Sequence, residues 1–184
     1  AALIASRGGA EVILIEGTKD GGRKILISGG GRCNILPSVT QPERYVTDSS
    51  PNTLRKILKS WPQPEQRAFL ERELGMPLEL EEETGKLFPS SHKARDVRDG
   101  LVRGVEEAGG RIWFGTRMRN LKSEDDHWIV DLDNAPSIAA RAVVVATGGL
   151  SVPATGSDGA GLRLAEMLGH RIHPTYPALT PLIA

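Results

Sequence analysis

Apolar positions along this chain follow two rhythms, one of helices and one of short buried strands. Residues 1–7 have the spacing of a helix end and run into Gly8-Gly9, a glycine stop. Residues 10–16, Ala-Glu-Val-Ile-Leu-Ile-Glu, form a continuous apolar run closing on an acid, as in a buried parallel strand. A second short apolar run, residues 25–27, leads into three consecutive glycines. Residues 35–50 are rich in Pro, Ser, Thr and Asn and predict a loop. Ser50-Pro51 then starts a helix, with Ser as cap and Pro at the first position. Leu54, Ile57 and Leu58 share a face of that helix, and Trp61-Pro62 ends it. A second helix is predicted from about Pro64 to Leu74, stopped by Gly75.

The clearest helix spans residues 91–108, with Ala94, Val97, Leu101, Val102, Val105 and Ala108 on one face and Gly109-Gly110 as its stop. Residues 111–114 predict a short strand. Residues 116–123 and 127–132 predict a hairpin across Glu124-Asp125-Asp126. Residues 142–146, Ala-Val-Val-Val-Ala, read as a buried strand that exits through Thr147-Gly148-Gly149. Asp158 caps a last helix to about Leu168, and the proline-rich tail from His173 is predicted to be extended.

Composition narrows the class. At 184 residues the chain can hold one core, or one domain and part of another. Its 23 basic and 23 acidic side chains cancel, which argues against a strongly basic nucleic-acid surface. Cys33 is the only cysteine, so no internal disulfide can form. No apolar run approaches a transmembrane length, and no basic segment precedes an apolar one at the N-terminus. A cytoplasmic protein with neither a membrane nor a nucleic-acid partner is the expectation.

The candidate chemistry gathers at two places. A helix, a glycine stop, a buried strand and a terminal acid form the second half of a dinucleotide-binding βαβ unit, in which the acid accepts hydrogen bonds from an adenosine ribose. Glu16 is the candidate. The glycine fingerprint of such a unit precedes the helix, so it is expected ahead of Ala1. Downstream, Arg23 and Lys24 offer donors to phosphate or ring oxygens. The stretch Ser28-Gly29-Gly30-Gly31-Arg32-Cys33-Asn34 combines a sharp bend with further donors.

Other signals carry less. A lone cysteine is most simply a small buried hydrophobe, and disulfide chemistry needs a pair. The acidic run at residues 79–83 reads as a solvated edge strand, with no histidine near enough to make a metal cluster. His92 reads as a capping or surface residue. No Gly-Lys-Ser or Gly-Lys-Thr follows the glycines, so a Walker-type kinase is disfavoured.

Three segments in order resemble the BaiN/RdsA-type, aminoacetone-oxidase-like NAD(P)/FAD-dependent oxidoreductases. The family's GRK-x-x-x-SGGGRCN signature stands here as Gly22-Arg23-Lys24 and Ser28 to Asn34. Residues 85–94, Gly-Lys-Leu-Phe-Pro-Ser-Ser-His-Lys-Ala, resemble its G-x-x-FP-x-S-x-x-A segment. Residues 146–159 resemble its ATGG-x-S-x-P-x-TGS-x-G segment, though Ala160 stands where many members carry an acid.

The resemblance covers essentially the whole chain. It implies an α/β fold: a partial glutathione-reductase-like, Rossmann-type FAD-binding domain with inserted helices and a β-hairpin or meander. That domain would span residues 1–172, without its first strand and glycine fingerprint and with a small helical insert at about 43–80. Residues 173–184 would lead into a second domain. The implied activity, for the full-length protein, is hydride or electron transfer by FAD on a small organic substrate, with NAD(P)H as a candidate co-substrate; this chain by itself is expected to be inactive and to retain flavin weakly or not at all, since the pyrophosphate cradle is expected ahead of Ala1. The implied cofactor contacts are Glu16, Arg23, Lys24, Ser28 to Asn34, Met118 through its main chain at adenine, and Ala146, Thr147, Gly148 and Gly149 near the pyrophosphate. No residue is assigned as catalytic and no metal is implied. Two alternatives stay open: a non-catalytic nucleotide-binding fragment, and a flavin-dependent RNA-modifying enzyme.

Overall fold

A computed structural model describes residues 1–177, so the part of the predicted tail beyond Pro177 lies outside the described residues. The chain divides into two compact units, residues 1–23 with 110–184, and residues 24–109.

In the first unit, α1 (Ala2–Arg7) closes where Gly8 N–H donates to Ile4 O at 3.0 Å. Strand β1 (Ile13–Glu16) follows and pairs in parallel with a strand nearly a hundred residues later, Arg111–Phe114, with Ile13 opposite Arg111 and Glu16 opposite Phe114. Parallel strands need a long crossover, and here that crossover contains the whole second unit in sequence.

In that second unit, α2 (Arg23–Ile27) takes up the short apolar run and passes into a 3-10 turn, Ser28–Gly31. A three-stranded antiparallel sheet has the order β2 (Leu36–Pro37), β4 (Lys86–Pro89), β3 (Leu78–Glu81). The acidic run does form an edge strand, β3, with Glu79 exposed and Glu81 half-buried. Helix α3 (Pro51–Ser60) is capped as its sequence requires, with the Ser50 hydroxyl accepting from Asn52 N–H at 3.3 Å. The next predicted helix is α-helical only over α4 (Gln63–Ala68). It then widens into a π turn, Phe69–Glu73, before Gly75 at φ +61°. Helix α5 (Ala94–Glu107) buries Ala94, Val97 and Val105. Leu87 and Phe88 of β4 are almost wholly buried, at 1% and 3% exposure.

The chain returns to the first unit through β5 (Arg111–Phe114). The predicted hairpin is β6 (Met118–Glu124) and β7 (His127–Leu132), and a third strand, β8 (Ile138–Ala140), extends it to a meander. Leu121, Val130 and Leu132 pack with Leu164 of α6 (Ala160–Met167), and Ile15, Trp113 and Trp128 close around them. This cluster fixes β1, β5 and the meander around one core.

One expected element does not form. Residues 142–146 make no ladder among the described residues, and Val144 and Val145 are 71% and 47% exposed. An apolar run becomes a buried strand only where a neighbour supplies main-chain partners, and no described strand lies against this one.

Candidate functional site

Glu16 ends β1, and the next two residues set its carboxylate. Thr18 N–H donates to Glu16 Oε1 at 2.7 Å and the Thr18 hydroxyl donates to the same oxygen at 2.5 Å. That hydroxyl in turn accepts Gly21 N–H at 3.0 Å. Thr18 is buried while Glu16 is only half-buried. The carboxylate is therefore held from beneath by one oxygen. An ionised carboxylate offers about four acceptor directions, so this anchoring leaves capacity for hydroxyl donors. Sequence reasoning singled out Glu16 as a candidate but not the Thr18 that anchors it; an acid followed two positions later by a hydroxyl at a strand end is the signal that marks the pair.

Met118, at the start of β6, pairs with Leu132 and packs on the first unit's core, and the ladder shifts register between Met118 and Asn120. Residues 146–149 follow the unpaired segment and are all exposed. Gly148 has φ +74°, and Leu150 bridges to Asp158 ahead of α6. A Cβ at Gly161 of α6 would overlap the Thr147 hydroxyl, so this pair approaches closely because the helix is bare there. Glu16, Met118 and residues 146–149 thus all belong to the first unit. Arg23, also in it, lies 3.9 Å from Asp20.

Lys24 and residues 28–34 belong to the second unit. Gly29, Gly30 and Gly31 are exposed at φ +55°, +67° and +85°. Gly29 is required twice over. Its backbone is left-handed, and a Cβ would stand 2.8 Å from Asn34 N and 2.9 Å from the Phe88 ring. The bend closes through Cys33 N–H donating to Ser28 O at 3.0 Å. Arg32 braces it: Nη1 donates to Glu81 Oε1 at 2.8 Å, and the guanidinium carbon lies 4.2 Å from the centre of the Phe88 ring. Two of the quoted motif segments, residues 28–34 and 85–94, therefore build one cluster. An open cavity of about 370 Å³ beside it is lined by Leu26, Gly31 and His92 to Arg95. His92 Nε2 lies 3.2 Å from Glu79.

Electrostatics agree with this division of labour. The Thr84 hydroxyl and then the Arg32 guanidinium hold the Glu81 carboxyl below the usual range. Burial pushes the Cys33 thiol up, with Ser28 opposing, so it stays protonated and unreactive at neutral pH. No group of three or more His, Cys, Asp and Glu side chains able to hold a metal occurs among the described residues. No helix among them is long and apolar enough to cross a membrane.

Comparison with known proteins adds a family. The profile described as HI0933-like protein Rossmann domain matches residues 1–176. The chain is 31% identical over 184 residues to the 3-dehydro-bile acid delta(4,6)-reductase of Clostridium scindens, covering 99% of this chain and 44% of that protein. It is 33% identical over 180 residues to the ribosomal RNA dihydrouridine synthase of Escherichia coli, covering 97% and 43%. Among solved structures, glycine oxidase from Geobacillus kaustophilus is similar at a TM-score of 0.47 and 16% identity, over 91% of this chain and 54% of that one. The chain spans less than half the length of the two curated relatives.

Proposed function

The chain belongs to the HI0933-like family of Rossmann domains, and from that premise we propose that it binds FAD as the cofactor-holding part of a flavin-dependent oxidoreductase acting on a small organic substrate, with NAD(P)H as hydride donor. FAD supplies the redox chemistry when bound, and the protein supplies position and electrostatics.

The observation that carries the proposal is the Glu16 carboxylate, anchored through Oε1 by Thr18 at the C-terminal end of a parallel strand. Ligands of open α/β sheets bind at that edge, and an acid there suits a ribose 2′-hydroxyl. On this proposal Glu16 holds the adenosine ribose, the Met118 main chain meets adenine, and residues 146–149 serve the pyrophosphate. Arg23 and Lys24 serve phosphate or ring oxygens. The exposed glycines of the Ser28–Asn34 turn offer main chain to an aromatic or anionic group, while its Arg32 is committed to Glu81 and Phe88. The FAD-binding domain would run from residue 1 to 172.

Reduction is the favoured direction, since the relatives are named a reductase and a dihydrouridine synthase. The test is to add FAD to the purified protein, remove the excess, and mix the complex anaerobically with NADH or NADPH. Retained flavin that bleaches with one nicotinamide supports the proposal. A protein that leaves FAD fluorescence unchanged throughout an equilibrium titration contradicts it. An RNA substrate is the second reading, favoured by the relative named for ribosomal RNA and opposed by the chain's charge balance. Flavin reoxidation by RNA rather than by small enones would select it.

A further inference from the structure

Main-chain bonds tie residues 115–117 to Glu16, Thr18 and Asp133. Thr116 N–H donates to Glu16 O at 3.1 Å, Gly115 N–H donates to Thr18 O at 2.9 Å, and Asp133 N–H donates to Arg117 O at 2.8 Å. These bonds bring Arg117 beside Gly17, the residue that follows the carboxylate. A Cβ at Gly17 would lie 3.1 Å from Arg117 Cγ and 3.4 Å from its Nε. The arginine stem thus lies close against bare main chain, where a Cβ would press on it. Its guanidinium points toward Asp158, with Nη1 3.9 Å from Oδ2. Asp158 is already engaged: Oδ1 accepts Ala160 N–H at 3.0 Å and lies 3.8 Å from Arg163.

At that length and exposure the Arg117–Asp158 pair adds little to stability. Its effect is to aim a planar cation along the edge where Glu16 ends. A guanidinium presents a flat face that stacks on aromatic rings.

We propose that Arg117 is an adenosine-binding residue, its guanidinium stacking on the adenine of the dinucleotide whose ribose Glu16 holds. This rests on the FAD reading above and assigns it a residue that the motif segments do not contain. Stacking explains why Gly17 carries no side chain and why the arginine is tethered at both its main chain and its tip.

The test is titration of the apoprotein with FAD, with FMN, which lacks the adenosine, and with ADP, which lacks the flavin. In Arg117→Met, FAD and ADP binding should weaken about fivefold, in line with the loss of one cation–π contact. FMN binding and the melting midpoint should stay at wild-type values. Arg117→Lys keeps the charge but not the plane, and should recover only part of the loss. Unchanged FAD and ADP affinity overturns the assignment, as does equal weakening of FAD and FMN or full rescue by lysine. A wild-type protein that binds ADP but no flavin, with the same loss in Arg117→Met, would retract the FAD reading and leave the adenosine contact standing. A wild-type protein that binds neither overturns both.

Discussion

Two bonds from Thr18 aim and fix the Glu16 carboxylate, as the proposed sugar contact requires. Thr18→Val keeps the shape and removes the hydroxyl. FAD affinity, read by flavin fluorescence, should fall about fivefold, the size of one hydrogen bond. Cys33 makes a contrasting prediction. Its thiol has an upward-shifted pKa because it is buried, so iodoacetamide should label the native protein far more slowly than the urea-unfolded one. The sign for stability follows: an acid whose folded pKa is raised costs stability as pH climbs from the unfolded value, about 8.5, toward the folded one. Cys33→Ala should lessen that alkaline loss of melting midpoint. At this scale Glu16 stood out as a candidate because an acid ending an apolar run is a local signal. Thr18 required knowing where a hydroxyl points, and Arg117 comes to Gly17 only through the pairing of two strands nearly a hundred residues apart in sequence.

At the scale of elements, the glycine turn and β4 stand or fall together. Gly29→Ala must place a Cβ against Asn34 N and the Phe88 ring in a left-handed backbone. It should cost about 2 kcal/mol of stability in urea denaturation, within the range for such strain. The Arg32–Glu81 brace is pH-dependent. Glu81 has a depressed pKa, from the Thr84 hydroxyl first and Arg32 second. Its contribution is fully present above the ordinary glutamate value of about 4.3 and is lost as pH falls through the lower folded value. The gap in melting midpoint between wild type and Glu81→Gln should therefore narrow as the solution is acidified below about pH 4. Elements set by local pattern matched their sequences: the Ser50 cap, α5 with its apolar face, and the β6–β7 hairpin. Residues 142–146 did not, because their apolarity specifies burial but cannot supply a partner strand. The π turn after Ala68 also escaped, since it shares the helical pattern of the residues before it.

Across the molecule, family membership gives a Rossmann-like α/β fold, and the charge balance bears on the proposed choice of partner. With 23 basic and 23 acidic side chains, binding to a single-stranded RNA oligonucleotide should be undetectable at micromolar protein in about 0.15 M salt, where surface charges are screened within about 8 Å. Filter binding would show it. The chain spans less than half the length of its curated relatives. The central claim is narrower: Glu16 receives the adenosine ribose of FAD. FAD titration of the wild-type and Glu16→Gln proteins, followed by flavin fluorescence, tests it most directly. The account predicts that Glu16→Gln binds FAD about tenfold more weakly, as expected for losing a charge-assisted hydrogen bond, with an unchanged melting midpoint for the apoprotein. Equal FAD affinity in the two proteins would contradict it.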